Sequence, residues 1–479
     1  MRRIIFTLIS ILICVNVFGS VVLKNSLNIQ KQFSYNELDY IINSTIDLKG
    51  KTIYLPANSS LTFNSGGIVN GKLYGNNIRI SADHNRRIFK NIQFFGIFHS
   101  EEASPKWFGA LGDGRHDDTG AIISAYRISN NLFFPSGKYI ISSPINVRSN
   151  SIISGVDSTS VIMTIKDDFT MNNVHWTSDE IDSNIVVKNI RIDAKLSKAT
   201  SEYSAGMYFC GVKNINIKRV WFENIGGDGI YIGKGKDNKN NNNVNISNCS
   251  FVNYGRNSST PRQGVALING YDITIQKCKF YNKIDKAYGI DFEPNKYNEG
   301  GTLLVKDCFF SSCGISAGGH PLATKKITIQ NCRIENSHIK KSFGIAISNA
   351  TGSIINSKIS SDENGIIING VNNFDVSYSE ISSNELGVYM VKSSNIKLTN
   401  CNIKGQNGVI IDSSVKNVIE DNVISASRTG VKLSTTSSVN KIINNKIESG
   451  NNDGVIFENR MQIANTIKNN INKKRMISK

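Results

Sequence analysis

Apolar and polar residues alternate in short runs along most of this chain. Ile46-Asp47-Leu48-Lys49, Leu61-Thr62-Phe63 and Ile78-Arg79-Ile80 are early examples, separated by Gly66-Gly67, Asn70-Gly71 and Gly75-Asn76. A period of two places alternate side chains on opposite faces of a strand, and the Gly and Asn pairs supply the turns. One segment departs from this pattern. Ala121, Ile122, Ala125 and Ile128 recur at helical spacing, with Asp117-Asp118-Thr119 before them as a candidate N-cap. The pattern predicts an all-β chain with one short helix over about residues 118–130. Such a helix would plug the end of a solenoid, whose terminal coil otherwise exposes apolar side chains.

From Val220 onward the alternation becomes an internal repeat. Ile246-Ser247-Asn248-Cys249-Ser250-Phe251 returns as Ile275-Gln276-Lys277-Cys278-Lys279-Phe280, Val305-Lys306-Asp307-Cys308-Phe309-Phe310 and Ile329-Gln330-Asn331-Cys332-Arg333-Ile334. The register continues through Ser357, Ser379, Cys401, Asn422 and Asn445, with spacings of 29, 29, 30, 24, 25, 22, 22, 21 and 23 counted from Val220. A second short strand follows each mark and starts at glycine: Gly229-Ile230, Gly264-Val265, Gly289-Ile290, Gly314-Ile315 and onward to Gly454-Val455. This predicts a right-handed parallel β-helix, with one side chain in two pointing inward and stacking on its equivalent ~4.8 Å away. Leucine-rich repeats are excluded, since no L-x-x-L-x-L pattern recurs.

Residues 107–122 read WFGALGDGRHDDTGAI, and Phe134-Pro135-Ser136-Gly137-Lys138-Tyr139 follows. This stretch resembles the entry motif of the pectate-lyase-like superfamily, in the branch that includes phage tailspikes and secreted Bacteroides-type proteins. The resemblance implies the β-helix fold. It does not choose among chemistries, because the superfamily holds hydrolases, lyases, epimerases and non-catalytic binders. It also implies that Asp117 and Asp118 are structural. The organisation expected is a signal peptide at 1–19, a strand-rich N-terminal cap region at 20–103, the β-helix at 104–470 and a basic tail at 471–479.

The compartment follows from the first residues. Arg2 and Arg3 precede an apolar run from Ile4 to Val17, too short to span a bilayer, and Val17-Phe18-Gly19 offers a cleavage site. Cys14 is a poor lipidation site, because bulky Ile13 stands where a small residue is needed. The chain is therefore expected to be secreted, with no transmembrane segment. Cys249, Cys278, Cys308, Cys332 and Cys401 share one inward position and form no C-x-x-C pair, so they read as stacked buried thiols rather than metal ligands.

The formal net charge is +17, scattered except for small clusters at Lys234-Lys236-Lys239 and Lys473-Lys474-Arg475. No nucleic-acid motif accompanies it. An acidic polysaccharide is the partner this favours.

The longest coils, from Val220 to Cys308, must raise loops at residues 234–243, 255–261 and 295–301, and raised loops are where sites are built. Counting from each glycine, outward positions bring Tyr208, Tyr231 and the pair Asp291 and Glu293 onto one face. Asp228, Arg262 and Gln263 stand at its edge, and His320 and Lys234 lie nearby. Asp291 and Glu293, two residues apart on one strand, have Cα atoms ~6.6 Å apart. Asp228 lies two coils earlier, ~10 Å away. Carboxyls at such separations suit acid and base roles across a glycosidic bond. Asp291, Glu293 and Asp228 are thus the candidate catalytic residues. Arg262, Tyr231, Tyr208, His320, Gln263 and Lys234 are the candidate substrate-binding residues.

The expected function is glycosidic-bond cleavage in an extracellular acidic polysaccharide, by hydrolysis, without a cofactor. The alternatives are a polysaccharide lyase or uronate epimerase, with Ca²⁺ held by the carboxylates and Arg262, Arg256 or Lys234 as base, and a non-catalytic glycan binder. Polygalacturonase-like hydrolases carry N-T-D, D-D, G-H-G and R-I-K motifs on successive coils. Gly227-Asp228-Gly229 stands in a comparable place, but the D-D, G-H-G and R-I-K motifs are missing, so close kinship to them is not expected. The chain is expected to act as a monomer or a homotrimer.

Overall fold

The computed structural model describes residues 19–164, 171–172, 182–195, 204–235, 238–255, 262–282, 287–336, 343–450, 454–458 and 464–474. Residues 1–18, the segment expected to be a signal peptide, with Cys14, and also Lys236, Arg256 and Arg475, lie outside these. The chain forms two compact units, one of residues up to 109 together with 124–129, the other of residues 110–123 and 130 onward.

The first unit is a parallel sheet of seven strands. Its strands pair in successive short coils: Tyr40 lies beside Leu61 and Leu61 beside Ile80. The inward residues Tyr40, Leu61, Leu73 and Ile80 are almost fully buried. On its outer surface Tyr54, Tyr74 and Phe95 stack in register, with centroids 5.1 and 4.5 Å apart.

The second unit is a parallel β-solenoid. Its register runs Trp221, Ser250, Lys279, Phe309, Arg333, Lys358, Glu380, Asn402, Val423 and Lys446, each residue paired with its equivalent one coil on. The spacing read from the repeat is thus the coil length. The turn before each inward cysteine, serine or asparagine holds a residue at positive φ: Asn248, Lys277, Asp307, Asn331, Asn356, Tyr378, Asn400, Asp421 and Asn444. Asn tolerates this left-handed conformation better than most residues, which explains the chain's abundance of it.

The inward column that begins with cysteines ends as asparagines. Each cysteine stays a free thiol and donates to the carbonyl two residues before it, at 3.2 Å for Cys308 and 3.3 Å for Cys278, Cys332 and Cys401. Farther along, Asn422 Oδ1 accepts from the Cys401 N–H at 2.9 Å, and Asn445 Oδ1 accepts from the Asn422 N–H at 3.0 Å. Asn470 Oδ1 accepts from the Asn445 N–H at 2.9 Å. A buried amide must be bonded, and stacking identical amides satisfies each one from the next coil.

The glycine that opens each second strand has a packing cause. Phe222, Phe251, Phe280 and Phe310 stack face to face in the core, with centroids 4.8, 4.7 and 4.6 Å apart. A Cβ on Gly229 would lie 2.7 Å from Phe251 Cδ1, one on Gly264 2.6 Å from Phe280 Cδ1, and one on Gly289 2.4 Å from Phe310 Cδ1. In later coils Ile359, Ile381, Ile403, Ile424 and Ile447 take the place of phenylalanine against Gly344, Gly365, Gly387, Gly408 and Gly430. Gly289→Ala is therefore expected to cost about 1–3 kcal/mol by overpacking. The cost should shrink in a Phe310→Leu background, because that ring supplies the two nearest atoms to the added carbon, at 2.4 and 2.6 Å. Additive losses in urea melts of the single and double variants would refute this interlock.

The one α-helix among the described residues runs Thr119–Ile128, within the 118–130 expected. The carboxylates before it act differently from simple caps. Asp117 Oδ1 accepts from the Thr119 N–H at 2.9 Å. Asp118 instead reaches back to the preceding loop, accepting from the Leu111 N–H at 2.8 Å and the Gly112 N–H at 3.1 Å. Its main-chain carbonyl accepts the first helical bond, from Ile122. The Asp pair is thus a structural clasp, and burial raises the Asp118 carboxyl despite its two N–H partners.

Candidate functional site

The candidate residues converge where the longest coils stack. Successive strands Met207–Cys210, Ile230–Gly233, Gln263–Leu267, Tyr288–Phe292 and Gly314–Ala317 pair in parallel. Their outward column runs Tyr208, Tyr231, Ala266, Asp291, Ser316. One large ring, one methyl group and one carboxyl in sequence leave a slot over the methyl. A cavity of 190 Å³ occupies it, walled by Tyr231, Arg262, Asp228, Asp291, Glu293 and Asn295, with Ala266 and Ile268 among its apolar lining.

Gln263 organises the carboxylates. Its backbone N–H donates to Asp228 Oδ1 at 2.8 Å and its side-chain Nε2 donates to Asp291 Oδ2 at 3.1 Å. Gln263 is 5% exposed. It was expected to bind glycan, yet its amide is committed to holding Asp291. Arg262 Nη1 stands 3.8 Å from Asp228 Oδ2, an ion pair whose acid is buried and whose base is partly so.

Asp291 differs most from the sequence expectation. Its strand position points outward, into the groove. It is 4% exposed, because the neighbouring coils and the Gln263 side chain cover it. Its Oδ1 is buried with no hydrogen-bond partner among the described residues. Burial, then the negative charges of Glu293 and Asp228, push the Asp291 carboxyl up to about 8, against a weaker opposing effect from Ser316. At neutral pH this group holds its proton. Glu293, just past the strand end, is exposed at the rim.

Three predicted residues stand outside the cavity wall. Tyr208 stacks behind Tyr231, with centroids 4.5 Å apart and planes 13° from parallel, so it supports that ring. Lys234 Nζ donates to the Asn298 carbonyl, and Asn298 Nδ2 donates to Asn238 Oδ1 at 3.2 Å. These contacts tie two raised loops together across the intervening coil. His320 is fixed by its backbone N–H, which donates to the Pro294 carbonyl at 2.7 Å, while its Nδ1 accepts from the Leu322 N–H at 3.2 Å.

Two residues escaped the sequence reading. Asn295 lines the cavity two residues beyond Glu293. Tyr288 pairs in register with Gln263 and stacks on Phe343, and burial together with Asp291 and Glu293 raises its phenol. The signal for Tyr288 was present: Asp228, Gln263 and Tyr288 each directly precede the glycine of their strand.

The described residues contain no cluster of three or more His, Cys, Asp or Glu suited to a metal ion. The donor set in the cavity is one ion-paired carboxylate, one protonated carboxyl and one rim carboxylate, with a guanidinium and an aromatic face. It can donate and accept protons and can stack a ring.

Residues 105–366, more than half of the chain, match the family described as rhamnogalacturonase A/epimerase, pectate lyase-like. The chain belongs to this family. Residues 343–476 match a second family description, right handed beta helix region, which gives the solenoid its hand. Among curated proteins, the pre-neck appendage protein of Bacillus phage B103 is 21% identical over 80% of this chain and 52% of its own length. The chain thus spans about half the length of that relative.

Among solved structures, the N-terminal fragment of bacteriophage Phi29 gene product 12 aligns with a TM-score of 0.55 and 15% identity, covering 77% of this chain and 71% of that one. PfbA, a surface adhesin of Streptococcus pneumoniae, aligns at 0.48 and 15%, covering 71% and 91%. The A-module of mannuronan C-5 epimerase AlgE6 from Azotobacter vinelandii aligns at 0.37 and 15%, covering 79% and 96%. At this identity the phage fragment shows the shared fold alone.

Proposed function

We propose that this protein acts outside the cell on an acidic polysaccharide and cleaves its glycosidic bonds by hydrolysis. The observation that carries the reading is a buried Asp291, its carboxyl pushed up to about 8 by burial and by Glu293, in the wall of a small cavity that also holds the ion-paired Asp228. A protonated carboxyl is what departure of an alkoxide requires, and a raised pKa is how a fold provides one at neutral pH. Asp228 stands two coils earlier, in register with Tyr288 rather than with Asp291, and Gln263 bridges the two carboxyls. This placement is compatible with a water between Asp228 and the sugar, the arrangement of an inverting hydrolase. The Tyr231 face would stack the ring in the slot above Ala266, and Arg262 would meet a substrate carboxylate. Glu293 at the rim would assist as second base.

The names of the similar proteins support an extracellular role. One is a phage appendage and one a surface adhesin. A chain that holds a glycan on the Tyr231 face without cutting it is the second reading. The described residues contain no helix long and apolar enough to cross a membrane. Secretion behind a leader, and a monomeric or trimeric state, are part of the same proposal.

The test is incubation with a panel of uronic-acid-rich polysaccharides, following new reducing ends and the ultraviolet absorbance of unsaturated uronates together. Reducing ends without absorbance are expected. Both signals rising would replace hydrolysis by β-elimination, with Arg262 or Tyr231 as base. Retention of polysaccharide with neither signal would favour the binding module.

A further inference from the structure

Trp221 lies on a different strand face from the Asp291 cavity. It belongs to the strand Lys213–Glu223, and its indole is 40% exposed. Aromatic side chains of this size contribute most when covered, so an open one asks for a partner. One side of the ring is occupied: the Arg191 guanidinium carbon lies 5.7 Å from the ring centroid, and Arg191 is pinned by an ion pair with Glu223. The other side looks toward the next coil, where the paired position is Ser250, too small to cover an indole.

The surroundings are concave and polar. A cavity of 440 Å³ lies against Trp221 and Ser250, lined also by Asp157, Ser158, Asn189, Arg219 and Asn248. Asn189, Arg219 and Asn248 occupy the same turn position in three successive coils, all at positive φ. Arginine is an uncommon occupant of that conformation. Its placement there sets the guanidinium beside the tryptophan, where Arg219 Nε donates to Asn189 Oδ1 at 2.6 Å. The remaining donors of the fork make no further hydrogen bond among the described residues. A flat apolar face, a carboxylate acceptor, a guanidinium fork and two amides converge on one hollow. That is the complement of a pyranose ring, which has an apolar C–H face and a rim of hydroxyls that both donate and accept.

We propose that Trp221 and this hollow form a second saccharide site, separate from the Asp291 cavity, that holds one pyranose of a glycan chain without reacting with it. Two grips on one long polymer raise the effective concentration of the chain at the reacting site. The proposal stands whether the Asp291 cavity cleaves or only binds.

The test is native electrophoresis through gels cast with polygalacturonate, alginate or xylan. The parent is the Asp291→Asn protein, so that any cleavage does not shorten the polymer during the run. Retardation of the parent by at least one of these glycans is expected. Trp221→Ala and Arg219→Ala should each weaken that retardation by about tenfold in apparent Kd. Trp221→Phe, which keeps an aromatic face, should preserve most of it even if the alanine variant fails to fold. Unchanged retardation in the alanine variants overturns the site, and so does a parent that no glycan slows. A change in mass by light scattering in Trp221→Ala, with glycan binding intact, would assign the indole to contact between copies instead.

Discussion

Asp291→Asn is expected to lower kcat by about a thousandfold, the contribution a positioned general acid makes. The amide keeps the shape of the group and its contact with Gln263 but has no proton to give. Stability should move the other way. The Asp291 carboxyl is raised from 3.8 to about 8 in the folded protein, so between those values the folded state keeps a proton that the unfolded chain releases. Unfolding then binds fewer protons than folding, and stability falls as pH rises through that window. The amide removes this dependence. At pH 7 the variant should melt higher than the wild type, and the gap should close as pH approaches 4. Wild-type activity should fall as pH rises past about 8, where the acid is lost. Full activity in Asp291→Asn, or a melting temperature that drops at every pH, would remove Asp291 from the acid role.

Phe280→Ala is expected to cost about 3–5 kcal/mol, the usual loss for a fully buried phenyl ring. Phe280 is 0% exposed and lies between Phe251 and Phe310, at 4.7 and 4.6 Å. Its removal opens a gap in a column whose members stack only on their neighbours. In a solenoid that loss falls mainly on adjacent coils rather than on the whole array. The coils affected carry Gln263 and Asp291, so activity should fall along with stability, while protection of backbone amides in coils beyond residue 400 persists. Hydrogen exchange measured along the chain checks this. Uniform loss of protection would show that the array folds as one cooperative block.

Much of this architecture was written in the order of residues. The cysteine-to-asparagine column and the strand-opening glycines could be read as a repeat because each coil obeys the same packing rule. An inward position must match the position above it, so periodicity in sequence becomes adjacency in space. The same logic brought Tyr231, Arg262, Gln263, Asp228, Asp291 and Glu293 together before any coordinates, because register converts a count from glycine into a place on the face. The helix was legible for a related reason, since its apolar residues change period.

The environment of those residues was not legible. Outward direction and exposure are different properties: Asp291 points out of the solenoid and is nonetheless buried, because Gln263 of the previous coil lies across it. Whether Gln263 met a substrate or a carboxylate depended on its rotamer and on the distance to the next coil. Lys234 was read as a groove residue, and the structure ties it to the Asn298 carbonyl on a loop two coils on. Trp221 drew no notice, since a single tryptophan on an alternating strand carries no signal of what stands beside it. Sequence by itself determined the coil, its length and the face on which acids gather, because these rest on periodic burial. Only the tertiary structure decided which carboxyl is dry and protonated, which amide holds it and which ring is left open. Those properties arise from side chains of different coils meeting at contact distance, and no local pattern encodes that meeting.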